Sequence, residues 1–246
     1  MLKRAIVVGA SSGIGEALVR RLCREGYLVA GVARRKEALD HLAAEINRPG
    51  EARFFVYPHD VIETANAKGV FDRIVTELDG LDVVIYAAGV MPRVGEDQFD
   101  GAIDRQIFEV NVIGAMAWLD LAAERFQAQH GGMIVGLGSV AGDRGRRGQP
   151  AYCASKAALH TYLEALRNRL SRFGVHVLTV KPGPVHTPMT KGLDKLPMAI
   201  EADAAAEGIL RAMNRRADVA YVPFQWGIIM PIIQSIPSLI FRRMSL

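Results

Sequence analysis

The first apolar run of the chain, Ala5-Ile-Val-Val8, passes straight into Gly9-Ala-Ser-Ser-Gly13-Ile-Gly15, and a helical pattern follows from Glu16 to Arg24. A short apolar run without polar alternation marks a strand buried on both faces. Strand, glycine turn and helix in this order confine the chain to folds in which a helix N-terminus faces the ends of parallel strands. Glycines allow a tight turn and close backbone approach, and the helix N-terminus offers amides and a positive dipole to a pyrophosphate. Gly9, Ser11, Ser12, Gly13, Ile14 and Gly15 therefore form a candidate dinucleotide cradle. Its spacing is Gly-x3-Gly-x-Gly, which differs from the Gly-x-Gly-x2-Gly fingerprint.

The alternation then repeats. Strands are predicted at 27–33, 53–58, 81–85, the run ending at Ser139, 175–180 and 219–222. Helices are predicted at 36–47, from about 63, and at 104–129, 152–173 and 202–215. Strands alternating with helices predict an α/β fold, a Rossmann-type doubly wound parallel sheet in three α/β/α layers. At 246 residues, half of them apolar, the chain can bury one large core in a single domain. Residues 1–223 would carry the cofactor and catalytic sites, with 224–246 as an apolar tail of the same domain and 190–200 as a polar, mobile segment. The net charge of +4, with acids spread throughout, gives no basic run suited to nucleic acid. Cys23 and Cys153 match no disulfide or metal-ligand spacing, so no metal is expected and a reducing compartment is implied. The opening residues lack a signal-peptide pattern, and the expected location is cytoplasmic.

The second strand ends at Ala33, where NAD-binding chains carry an acid for the ribose 2′-hydroxyl. Here Arg34 and Arg35 follow instead. Either they are a solvated turn, or they pair with a 2′-phosphate, the reading that selects NADP(H) with NAD(H) as the alternative. Asp60 and Val61 follow the third strand; Asp60 either faces an adenine edge or caps the next helix. His59 has no ligand partner in the sequence and reads as structural. Tyr86-Ala-Ala-Gly89 ends the fourth strand with small residues past which a ribose could slide.

Tyr152 and Lys156 lie one turn apart on one helix face. A phenol titrates near 10 and is a poor acid or base at neutral pH, but a nearby ammonium would pull that value down. Ser139, thirteen positions upstream at a strand end, could hold a substrate oxygen against the tyrosine. Such a Tyr-x3-Lys pair also arises by chance, with the ring in the core and the lysine in solvent. Asn111, inside a predicted helix, either bends that helix or is simply exposed.

Taken in order, these motifs resemble the short-chain dehydrogenase/reductase family along nearly the whole chain. They are Gly9-x3-Gly13-x-Gly15, Asp60, Ala88-Gly89, Asn111, Ser139, Tyr152-x3-Lys156, and Pro182-Gly183 with Thr187. The resemblance implies an NAD(P) cofactor and hydride transfer between its nicotinamide and a carbonyl or alcohol of a small-molecule substrate. It implies Tyr152 as proton donor or acceptor, Ser139 as orienter of the substrate oxygen, and Lys156 on the nicotinamide ribose. Asn111 would hold a water joining Lys156 to solvent. Pro182, Gly183, Val185 and Thr187 would meet the nicotinamide end, Thr187 at its carboxamide. Two departures stand out: Tyr86-Ala87 replaces the family's Asn-Asn, and Ala220-Tyr-Val-Pro223 with its apolar tail replaces Val-Asp-Gly-Gly. The second weakens a tetramer but leaves a homodimer through the 104–129 and 152–173 helices. The rivals are a cofactor-binding regulator of the same fold without turnover and a longer carbohydrate epimerase or dehydratase. The four intact polar residues disfavour the first; the glycine spacing and the lack of a large C-terminal substrate domain disfavour the second.

Two features remain. Arg144, Arg146 and Arg147 fall between Ser139 and Tyr152, either rimming the substrate mouth or lying in solvent. In the tail, Trp226, Ile229, Ile233, Ile236 and Ile240 recur at helical spacing. Prolines and polar residues break the run well short of the ~20 residues of a membrane span. The stripe either covers the protein's own pocket or a partner subunit, or makes weak peripheral contact with a membrane surface.

Overall fold

In the computed structural model, residues 2–193 and 196–244 are described; Met1, Asp194, Lys195, Ser245 and Leu246, which include the end of the predicted tail and two residues of the 190–200 segment, lie outside them. The strand β1 (Arg4–Val8) lies inside the sheet, with a strand on either side. Ala5 and Val7 pack into one hydrophobic layer while Ile6 and Val8 pack into the other, as the two-residue period of a strand demands. On the first side lie α1 (Gly13–Arg24), α2 (Lys36–Ile46) and α7 (Ala202–Asn214), through residues such as Leu18, Leu39 and Ile209. On the second lie α3 (Thr64–Glu77), α5 (Gly114–Ala128) and α6 (Pro150–Leu170), through Phe71, Trp118 and Leu163.

The other strands are β2 (Leu28–Ala33), β3 (Phe54–Pro58), β4 (Val83–Tyr86), β5 (Gly132–Leu137), β6 (Val175–Pro182) and β9 (Val219–Val222). Together the described residues make a seven-stranded sheet in the order β3-β2-β1-β4-β5-β6-β9, parallel throughout. The order reverses between β1 and β4. Helices leaving those two strands go to opposite faces, which opens a crevice at their carboxyl ends. Two short strands, β7 (Val185–His186) and β8 (Ile200–Glu201), pair with each other and bracket the 190–200 segment.

The predicted helix at 104–129 is longer and more irregular than its sequence pattern. It begins as α4 (Gly101–Phe108), capped by the Asp100 carboxylate, which accepts from the amides of Ala102 and Ile103. It then widens into a π-turn over Glu109–Ile113 before continuing as α5. By length and composition Gly101–Ala128 could cross a membrane, but Trp118, Leu119, Ala122 and Phe126 are fully buried against the sheet, as a core helix requires.

The tail is ordered as α8 (Trp226–Ser235) and α9 (Ser238–Phe241). Trp226, Ile229 and Ile233 of the predicted stripe face inward together with Met230, and pack on Val140 and Tyr221. Ile240 departs from the prediction and is 54% exposed. Pro237, between the two helices, breaks the backbone phase, so the stripe does not run on past Ile236.

Candidate active site

Gly9 leaves β1 at φ 92°, and a Cβ there would sit 2.5 Å from the Ala88 amide nitrogen. No side chain other than hydrogen fits between the two strand ends at the switch point. Gly15 is equally constrained, since its Cβ would fall 2.1 Å from the Gly9 carbonyl oxygen. The turn thereby brings the start of α1 onto the crevice. Ser12 precedes that helix without making a side-chain cap, so its first amides point into the crevice unclaimed by a hydroxyl.

All but one of the candidate cofactor-binding and catalytic residues line a single cleft of about 670 Å³. Gly9, Ser11, Ser12, Gly13, Ile14 and Gly15 form one end with Arg34, Arg35, Asp60 and Val61. Ala88 and Gly89 form the floor, and Ser139, Tyr152, Lys156, Pro182, Gly183, Val185 and Thr187 form the other end. The exception is Asn111, fully buried behind the floor.

At the first end, the Arg35 guanidinium donates to Ser11 Oγ at 3.0 Å and to Ser12 Oγ at 2.7 Å. Arg34 reaches Asp60 at 3.6 Å. Two cations and two hydroxyls thus crowd the position where an acid would repel a phosphate. Asp60 does not cap α3, whose N-cap is Glu63; its carboxylate accepts from the Ile62 amide instead. His59 is buried edge-on to Trp118 and also lines the cleft beside Asp60.

At the other end, α6 carries Tyr152, Lys156 and His160 one turn apart on one face. Lys156 is 5% exposed and its ammonium donates to the Leu137 carbonyl at 2.9 Å, which fixes it beneath the end of β5. Burial pulls its pKa down to about 8. Its Nζ lies 5.8 Å from the Tyr152 ring centre. Contrary to the expectation from sequence, the Tyr152 phenol titrates above its ordinary value, because burial outweighs the opposing pull of the Ser139 hydroxyl. At neutral pH this tyrosine is therefore a phenol, with a proton to give.

Asn111 sits in the π-turn. Its Nδ2 donates to the Val90 carbonyl and to Ser155 Oγ, both at 3.1 Å, and its Oδ1 accepts from the Val90 amide at 2.8 Å. A Cβ on Gly89 would lie 3.4 Å from Asn111 Oδ1 and 3.5 Å from Lys156 Nζ, so both polar groups converge on the bare face of that glycine. Tyr86, which replaces the family's asparagine, is wholly buried and donates to the Val110 carbonyl at 2.6 Å.

Behind Ser139, Tyr152 and Lys156 lie contacts that local sequence pattern barely marks. His160 Nε2 accepts from the Ser139 amide at 3.3 Å, and the ring is wedged between Gly138 and Gly142, where any Cβ would overlap it. Asp143 is almost fully buried and accepts from Lys181 at 2.6 Å and from the Tyr221 hydroxyl at 2.7 Å. The only hint was His160 continuing the four-residue period of Tyr152 and Lys156. Of the three arginines that would either rim the mouth or lie in solvent, Arg146 lines the cleft and the other two bond to the tail. Arg144 turns to the tail, donating to the carbonyls of Ile233 and Gln234 and stacking over Phe241 at 3.8 Å. Arg147 donates to the Arg242 carbonyl at 3.0 Å.

The family model for short chain dehydrogenases matches residues 3–196. A Myxococcus xanthus protein described as an uncharacterized oxidoreductase is 34% identical over 233 residues, covering 93% of this chain and 90% of its own. Carbonyl reductase family member 4 of Xenopus tropicalis is 30% identical over 195 residues, covering 79% of this chain and 80% of its own. A short-chain dehydrogenase from Sphingobium yanoikuyae, solved in complex with NADPH, superposes with a TM-score of 0.83 at 27% identity, covering 96% and 97% of the two chains. The chain belongs to the short-chain dehydrogenase/reductase family. It is an oxidoreductase of that family, on a Rossmann-type sheet.

Proposed function

We propose that the protein is an NADP(H)-preferring oxidoreductase that interconverts a carbonyl and a secondary alcohol, with Tyr152 as general acid and base. The observation that carries this reading is the grouping of Ser139, Tyr152 and Lys156 at one end of the cleft, with Asn111 buried behind its floor, while the other end holds Arg34 and Arg35. The residues fit a dinucleotide. The backbone of Gly9–Gly15 with Ser11 and Ser12 would hold the pyrophosphate, and Arg34 and Arg35 the 2′-phosphate. Asp60 and Val61 would meet the adenine, Ala88 and Gly89 the ribose, and Pro182, Gly183, Val185 and Thr187 the nicotinamide end. When bound, the cofactor supplies or accepts the hydride.

The protein's part is the proton. Ser139 Oγ positions the substrate oxygen beside the Tyr152 hydroxyl. Tyr152, held as a phenol by burial, gives its proton to that oxygen as negative charge develops there. The Lys156 ammonium, protonated below pH about 8, favours the phenolate left behind and would also bind the ribose. Asn111 clamps the Val90 backbone and Ser155, and so holds the floor at Gly89 against Lys156.

Residues 1–223 and the 224–246 tail act as one domain in this reading. The partly exposed Phe108 and Ile113 on the 104–129 segment favour a homodimer through that helix and the 152–173 helix. The two free, buried thiols of Cys23 and Cys153 are consistent with a cytoplasmic setting. The test is NADPH oxidation against aldehydes, ketosteroids, 3-oxoacyl thioesters and long-chain ketones. Tight NADPH binding with no turnover on any class, indistinguishable from Tyr152→Phe, would favour the regulatory reading instead.

A further inference from the structure

The tail has two apolar faces. The inner one, Trp226, Ile229, Met230 and Ile233, is docked on Val140, and Trp226 lines the cleft, packed so closely on Gly183 that a Cβ there would lie 2.0 Å from the indole nitrogen. The outer one has no partner among the described residues. Phe224, Ile228 and Ile232 follow one another at four-residue intervals, and Leu239 and Ile240 continue the exposed apolar surface in α9; all five are more than half exposed. The strip is firmly held, because Arg144 takes the last carbonyls of α8, Arg147 takes the Arg242 carbonyl, and Gln234 donates to the Asp143 carbonyl at 3.0 Å.

Large apolar side chains repeated along one exposed face mark a contact surface. The local charge selects the partner. From Val219 onward the sequence holds no acid, and its charged side chains are Arg242 and Arg243, both exposed at the end of the strip. Arg144, Arg146 and Arg147 belong to the adjoining loop, where Asp143 is buried and ion-paired. An apolar strip edged with arginines, of which Arg147 also pairs with Glu96 at 3.7 Å, matches the boundary between acyl chains and anionic headgroups.

We propose that Phe224, Ile228, Ile232, Leu239 and Ile240 seat the protein on an anionic membrane surface, and that its cleft takes a long-chain carbonyl compound dissolved in the lipid. This rests on the oxidoreductase reading above. Trp226 joins the two surfaces, since the helix that touches lipid on one face walls the cleft with the other. With two free arginines the attachment is weak, reversible and salt-sensitive.

The test uses the full chain and vesicles of phosphatidylglycerol with phosphatidylcholine, with phosphatidylcholine alone as control. The chain should float with the anionic vesicles, float little with the neutral ones, and be released by raised salt. The double variant Ile228→Ser, Ile232→Ser should lose flotation at least ten-fold. It should turn over a water-soluble ketone as wild type does, yet lose at least ten-fold in rate on a long-chain 2-alkanone presented in vesicles. Tyr152→Phe should float normally and turn over neither ketone. No flotation with anionic vesicles, or flotation indifferent to the double variant, would overturn the proposal. So would a fall in native mass of the double variant, which would make the strip a subunit contact. A wild-type chain that floats and reduces the water-soluble ketone but not the 2-alkanone in vesicles would overturn the substrate half, while one that floats and reduces neither would count against the carbonyl-reducing reading and leave the membrane contact standing.

Discussion

The hydroxyl of Tyr86 donates to the carbonyl of Val110 at 2.6 Å, inside the π-turn that carries Asn111. The chain departs from its family at Tyr86, yet the phenol supports the residue next to a family motif. Gly114 makes room for it, since a Cβ there would lie 3.0 Å from the hydroxyl. Tyr86→Phe keeps the ring and strands a buried carbonyl, a loss of about 1–3 kcal/mol. Thermal or urea unfolding should register that loss, and kcat should fall several-fold while the Kd for NADPH stays within a few-fold. Unchanged stability and kcat would mean that the π-turn holds without the tyrosine.

Tyr152→Phe should abolish turnover, by at least the ~100-fold typical of general acid catalysis, while leaving NADPH affinity within a few-fold. Substantial residual turnover would move the proton to another donor.

The crowding of Arg34, Arg35, Ser11 and Ser12 should make NADPH the preferred cofactor by ten-fold or more in kcat/KM. Charge-assisted contacts to a phosphate are worth roughly 1.5–3 kcal/mol. Arg35 is the one braced by both serine hydroxyls, so Arg35→Ala should lower kcat/KM for NADPH about ten-fold with little effect on NADH. Arg34→Asp should shift preference towards NADH. Equal kcat/KM for the two cofactors in wild type would refute the assignment.

His160 makes the fold sensitive to acid. Burial, with Lys181 and Lys156 nearby, holds its pKa down to about 4 against an ordinary 6.5, although Asp143 opposes the shift. The unfolded chain therefore binds this proton more readily. The stability from neutral His160 is fully present above pH 6.5 and is lost as pH falls towards 4, by up to about 3 kcal/mol. Denaturant unfolding of wild type and His160→Asn at neutral and mildly acid pH should show a smaller acid loss in the variant. Parallel losses would place the sensitivity elsewhere.

What the sequence could disclose follows from how local each signal is. The strand-turn-helix at Ala5–Arg24 and the Tyr152-Lys156 pair are written within one element each, so they were legible. The strand alternation disclosed the layers but not the order β3-β2-β1-β4, which depends on pairings far apart in the chain. The pull of Lys156 on Tyr152 was misjudged because burial, which raises the phenol's pKa, leaves no local mark in sequence. Arg144 and Arg147 were misplaced for a related reason: their partners, Ile233, Gln234 and Arg242, lie about ninety residues away and are backbone carbonyls, which any sequence supplies. Asp143, Lys181 and Tyr221 likewise come from three separate segments.

The π-turn at Glu109–Ile113 has a consequence for chain length. One residue advances a helix by about 100°, and a π-turn acts as one residue too many in an otherwise regular helix. Deleting one residue there would let the segment close into plain α-helix while the stretches on either side keep their phase, because the widened turn is what absorbs the extra residue. Trp118, Leu119, Ala122 and Phe126 would stay against the sheet, and the loss would fall on Asn111, which would give up its reach to Val90 and Ser155. The extra residue thus serves the cleft and not the core: a one-residue deletion there should lower turnover far more than it lowers stability, as unfolding and kinetic measurements on the same variant would show.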